Sequence, residues 1–269
     1  MAVNIIEITS ASNPKYKYIK ALQQKKARKE NREFTVEGIK SVRDAVESGR
    51  RISALAVSEE FYRDTDFSYP CGVPIYVMPA VMMEKLCDTQ NPQGIIGVIQ
   101  MRGADGFRPS PSGLYVYCDG LNDPGNLGTI IRTADAAGFS GVMLSPECVD
   151  MYNPKAVRAT MGSFFHTDII DQIRHSDLEQ YKRDGFRLVG GCLSADSKDY
   201  RRADYGPGTI LVIGNEANGI SETVLSLCGH VKIPIYGNAE SLNAGVAAGI
   251  LMYEIANQIK QNETGTEVQ

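Results

Sequence analysis

From Leu114 onward the chain repeats one pattern: a short apolar run, a glycine-bearing turn, then a stretch with helical spacing. The runs are LYVYCDG, GVMLSP, RLVGGCLS, GTILVIGNE and HVKIPIYG; helices are predicted from about Asn126, near Pro154–Phe165, near Ser221–Cys228 and over Val246–Lys260. Strands that alternate with helices at these spacings pair in parallel, because a helical crossover returns the chain to the same end of the sheet. The expectation is an α/β fold, a mostly parallel sheet covered on both faces. Ligands of such sheets collect at the carboxyl ends of the strands, and chemistry is sought there.

Upstream, EFTVEG, ISALAVSEEF, VPIYVMP and GIIGVIQM read as strands around the helices IKSVRDAVESG and AVMMEKLCDT. This gives a small α/β domain over residues 1–101, a Gly-, Pro- and Ser-rich linker at 102–113 and a second domain at 114–269. Charge divides the same way. Through Ser110 there are 16 Lys and Arg against 13 Asp and Glu, and beyond it 12 against 19. A helix expected from Lys15 to Arg32 carries most of the excess. As a solvated helix it needs no partner. As a phosphate-binding face it would use Lys20, Lys25, Lys26, Arg28 and Lys29, with Tyr16 and Tyr18 to stack on bases.

Several classes are excluded by what the pattern omits. The start, MAVNIIEITSASNPKYKYIK, has no charged region followed by an apolar one, and no stretch reaches the roughly 18 apolar residues of a membrane span. A cytoplasmic protein with no membrane partner is expected. Six cysteines without a C-x-x-C pair and three histidines without H-E-x-x-H suggest neither a metal site nor a disulfide framework. GNLGTI lacks the spacing of a dinucleotide-binding turn, and no phosphate-binding P-loop occurs.

Three strand ends carry unusual chemistry: DPGNLGTIIRTADAAGF after the first run, LVIGNEANGIS around the fourth, and IPIYGNAESLNAGVAAGILMYE after the fifth. Singly, each reads as turn glycines, helix caps and a surface carboxylate. In this order and spacing, with NPKAVRATMGSFF between them, they resemble the three motifs of the SpoU/TrmH branch of the SPOUT RNA ribose 2′-O-methyltransferases. The resemblance covers residues 114–260, and the N-terminal domain is similar to the family's ribosomal-protein-like substrate-binding domain.

The resemblance implies a deep trefoil knot in the C-terminal domain, a rare exception among protein chains. Ala244, Gly245, Ala247, Ala248 and Gly249 would let segments pass closely there, while Leu242, Val246, Ile250 and Tyr253 form a 3.6-period apolar stripe. It implies S-adenosylmethionine as cofactor, near Leu193, Gly214, Ile233 and Leu242. It places Arg132, Asn126, Glu216, Ser241 and Asn243 around the reacting centre, with Arg158 on a substrate phosphate. It also implies a homodimer joined through the final helix and the helix after Asn126. Large-subunit ribosomal RNA is the expected substrate. Transfer RNA, a noncatalytic RNA-binding role on the same scaffold, and a dinucleotide oxidoreductase are the alternatives.

Overall fold

The computed structural model describes residues 4–102, 107–194 and 196–265. Residues 103–106 of the expected linker lie outside the described residues. The chain forms two compact units, and Tyr152–Phe165, placed by sequence in the second domain, packs with the first.

In the first unit, β1 (Asn4–Glu7), β2 (Glu33–Glu37), β3 (Ile52–Ser58), β4 (Pro74–Met78) and β5 (Ile95–Gln100) make a mixed sheet in the order β1-β4-β3-β5-β2, with β5 antiparallel to both neighbours. The helix expected over Lys15–Arg32 is two helices, α1 (Pro14–Ala21) and α2 (Lys25–Asn31). Arg28 explains the break. Its side chain is 2% exposed, and Nη1 donates to the carbonyls of Leu22 at 3.0 Å and Gln23 at 2.7 Å. These are carbonyls that the end of α1 leaves without a helical partner. Next come α3 (Ile39–Glu47), α4 (Glu59–Asp64) and α5 (Ala80–Glu84). The segment Tyr152–Phe165 joins this unit through an aromatic cluster: the Phe34 ring centroid lies 4.7 Å from that of Tyr152 and 5.4 Å from that of Phe164.

The second unit holds β6 (Tyr115–Asp119), α6 (Pro124–Ala137), β7 (Gly141–Leu144), β8 (Asp168–Ile170), α8 (His175–Arg183), β9 (Arg187–Gly191), β10 (Lys198–Asp199), β11 (Thr209–Gly214), α9 (Glu222–Leu225), β12 (Gly229–Lys232) and α10 (Ala244–Gly265); α7 (Pro154–Ala159) belongs to the first unit. All seven strands are parallel, in the order β10-β12-β9-β11-β6-β7-β8. Central β11 buries Ile210, Leu211, Val212 and Ile213. At about 1.5–3 kcal/mol for each buried aliphatic side chain, this strand is a large share of the core.

The apolar stripe expected on the last helix is not the face that meets the core of this chain. Ala248, Leu251, Met252 and Ile255 face the core, whereas Val246 and Tyr253 are 51% and 53% exposed. The small residues do allow a close crossing. A Cβ on Gly245 would stand 3.2 Å from Thr129 Cγ2 of α6, tighter than an ordinary contact.

Candidate active site

Each strand end owes its shape to a polar side chain that binds backbone. After β6, Asp123 caps α6 by accepting from the Asn126 N–H at 2.7 Å, and Pro124 opens the helix where no N–H is needed. After β11, the chain turns back in a hairpin closed by reciprocal Asn215–Gly219 backbone bonds of 2.9 Å. Asn215 fixes that hairpin: its Oδ1 accepts from the N–H groups of Ala217 and Asn218, and its Nδ2 donates to the Gly120 carbonyl at 2.7 Å. After β12, Asn243 caps α10 through Oδ1, which accepts from Gly245 and Val246.

These three loops are tied to one another by a line of side chains. Asn243 Nδ2 donates to Asn126 Oδ1 at 2.9 Å, and Asn126 Nδ2 donates to Glu216 Oε1 at 2.8 Å. Glu216 also accepts from the backbone N–H groups of Asn122 and Asp123, each at 3.3 Å. Both ends of the Asn126 carboxamide are thereby engaged, so its orientation is fixed. Partial burial works against ionisation of Glu216. The bonds from Asn126, from its own backbone and from Asn122 and Asp123 outweigh that and hold its carboxyl below the usual range.

Beside this network lies a cleft of about 480 Å³ over the carboxyl ends of β9, β11 and β12. Leu193, Gly214, Ile233 and Leu242 all line it, together with Glu216, Ser241 and Asn243. A Cβ on Gly214 would fall 2.1 Å from the Gly219 backbone carbon, so only glycine lets the hairpin fold over the cleft floor. Size, apolar walls such as Ile213 and Leu251, and backbone groups at three strand ends suit an adenine nucleoside, and S-adenosylmethionine fits the residues present. Among the described residues, no group of three metal-ligating side chains occurs.

The remaining candidates lie elsewhere. Arg132 is exposed on α6, outside the cleft lining, with no ion pair or hydrogen bond from its side chain among the described residues. Arg158, on α7 of the first unit, donates Nη1 to Asp88 at 2.8 Å. Lys20, Lys25, Lys26 and Lys29 are exposed on α1 and α2. Arg28 is not available to a phosphate, because burial and two carbonyls hold it. Burial likewise removes Tyr16 from any stacking role, whereas Tyr18 is only half-buried. Tyr16 is 3% exposed and donates to the Met82 carbonyl, and the Tyr18 hydroxyl donates to Glu33. Sequence reasoning missed Asn215 and Asp123; the signal for both was an Asn or Asp placed two or three residues before backbone it could cap.

Residues 113–253 match the SpoU rRNA Methylase family, and residues 13–97 match the MRM3-like substrate binding domain. The chain is similar to the 23S rRNA (guanosine(2553)-2′-O)-methyltransferase RlmP of Bacillus subtilis (strain 168), 32% identical over 93% of this chain and 98% of that one. Among solved structures, the AdoMet-bound rRNA methyltransferase from Sinorhizobium meliloti matches with a TM-score of 0.85 and 36% identity, over 94% of this chain and 98% of that one. The SpoU methyltransferase AviRb from Streptomyces viridochromogenes, in complex with AdoMet, matches with a TM-score of 0.80 and 29% identity, over 91% and 98%. The family match spans more than half of the chain and the likeness to the Bacillus relative runs almost from end to end in both, so the protein belongs to the SpoU rRNA methylase family.

Proposed function

We propose that the protein is an S-adenosylmethionine-dependent methyltransferase that modifies a ribose 2′-hydroxyl in large-subunit ribosomal RNA. The observation that carries this reading is the Asn243–Asn126–Glu216 line, which joins three strand-end loops beside a nucleoside-sized cleft. Leu193, Gly214, Ile233 and Leu242 hold the cofactor, which supplies an electrophilic methyl group when bound. Asn126, Glu216 and Asn243 keep the loops in register and orient the ribose. Ser241, at the cleft with no hydrogen bond from its hydroxyl among the described residues, adds a contact to it.

Arg132 acts on the hydroxyl. A guanidinium keeps its proton in ordinary protein surroundings, so it serves best by gripping the RNA phosphate and stabilising negative charge on the attacking oxygen. Arg158 and the exposed Lys20, Lys25, Lys26 and Lys29 bind phosphates and position the RNA. The exposed Val246 and Tyr253 on α10 are covered by a second copy of the chain, which also brings Arg132 to a site it does not reach alone. The trefoil knot belongs to the same reading, as does a cytoplasmic location, where ribosomal RNA is found. Among the described residues, no helix is long and apolar enough to cross a membrane.

The test is transfer of labelled methyl from S-adenosylmethionine to separate pools of unmodified ribosomal RNA and transfer RNA. Label on ribosomal RNA is expected, and Arg132→Ala should abolish nearly all of it while leaving cofactor affinity by calorimetry unchanged. Label on transfer RNA alone would overturn the substrate, and absence of cofactor binding would overturn the reading altogether.

A further inference from the structure

The Asn215–Gly219 hairpin has two sides. One bounds the cleft already described; the other bounds a second cleft of about 650 Å³ over the carboxyl ends of β6, β7 and β11. That volume is in the range that takes up a nucleotide. Its inner polar groups are already paired: the Tyr117 hydroxyl donates to the Ile173 carbonyl, and Asp119 accepts from the Ser221 N–H at 2.7 Å. Of its outer groups, His175 is held by the Thr223 carbonyl and Ser221 by the Thr223 hydroxyl, but others are not paired. The carboxamides of Asn122 and Asn218 have no hydrogen-bond partner among the described residues, and the exposed Arg174 guanidinium has no ion-pair partner there.

This set has the chemistry of a nucleotide receptor. A carboxamide offers a donor and an acceptor side by side, as a base edge requires, and a guanidinium matches a phosphate. The loops are also the right ones. Asn218 sits two residues from Glu216 on the shared hairpin, and the Asn122 N–H donates to Glu216 itself. Resting on the methyltransferase reading, the geometry points to the second cleft as the receptor for the target nucleotide: its base on Asn122 and Asn218, its phosphate on Arg174, its ribose toward Glu216. Base contacts then come from the catalytic unit, and the lysines of α1 and α2 supply phosphate contacts only.

Steady-state methylation of a ribosomal RNA fragment by Asn122→Ala, Asn218→Ala and Arg174→Ala tests this, with S-adenosylhomocysteine affinity measured alongside. Each asparagine variant should lose about tenfold in kcat/KM for RNA. Arg174→Ala should lower the salt slope of RNA binding by about one. Cofactor-product affinity should stay at the wild-type value. A second readout is independent of turnover: in protein saturated with S-adenosylhomocysteine, at least one of the four ribonucleoside 5′-monophosphates should shift the Asn122 and Asn218 side-chain amide resonances, and less so in Arg174→Ala. Unchanged kcat/KM in all three variants overturns the proposal, as does a loss that merely follows a loss of S-adenosylhomocysteine affinity. Should the wild type methylate no RNA, the methyltransferase reading fails by itself, and the nucleotide shifts still decide for or against the cleft.

Discussion

Asn126 donates to a carboxylate and accepts from a carboxamide, and nothing else of its size does both with fixed polarity. In Asn126→Asp the bond from Asn243 survives, but a second carboxylate is set against Glu216. Losing a hydrogen bond to a charged group costs about 1.5–3 kcal/mol, so kcat should fall about 10- to 100-fold at neutral pH. The pair then shares a proton more readily than wild-type Glu216 takes one, and activity relative to wild type should recover as pH falls. A pH–rate profile checks this; a loss independent of pH would mean that Glu216 is not the affected group. In wild type the sign is opposite. Folding holds Glu216 below its ordinary 4.5, so its contribution to stability is complete above that value and is lost as pH falls through the lowered one. Gly214→Ala is expected to displace the hairpin and cut S-adenosylmethionine affinity by at least about tenfold, since the added methyl would overlap the Gly219 backbone. Calorimetry at unchanged fold, confirmed by circular dichroism, is the measurement.

Helix ends and faces show where sequence reading succeeded and where it stopped. The alternation of apolar runs and helices revealed the parallel sheet, because period and length are local properties. The break between α1 and α2 was not legible. Lys15–Arg32 has an uninterrupted helix-forming composition, and the break depends on Arg28 turning inward to carbonyls that only the folded chain presents. Composition counts an arginine as surface charge; geometry makes this one a cap. The two kinds of cation should therefore part in experiment. Arg28→Ala should destabilise the first unit by about 2–3 kcal/mol, through buried carbonyls left without a donor, as read by denaturant melts. Lys25→Ala should leave stability alone and lower the salt slope of RNA binding by about one. The core-facing side of α10 was not legible for a related reason. Two apolar stripes share that helix, and periodicity alone does not say which one meets the core of its own chain.

At the scale of the whole molecule, the motif order in the sequence identified the loops that meet, and the side chains that join them were named in advance. What the sequence did not carry was distance: Arg132 stands apart from the network although it lies six residues from Asn126, and Arg158 packs with the first unit although the segment Tyr152–Phe165 that carries it is flanked on both sides by chain of the second. On the function proposed above, a second copy seated on α10 would account for the isolation of Arg132. Val246→Glu should yield a monomer by light scattering at micromolar concentration, with methyl transfer lost and S-adenosylmethionine still bound; a dimer that persists would place the interface elsewhere.

The strand order has a consequence for how the protein comes into being. β9 meets β6 only through β11, which the ribosome makes about 95 residues after β6. At about 5–20 residues per second, β6 and β7 wait several seconds with one apolar edge open. Until Gly214 has left the exit tunnel, the nascent chain holds a β6-β7-β8 half-sheet with an open edge and a β9 strand without a neighbour, because β12 is made later still, so its vulnerability to premature association is written into the position of a single late strand.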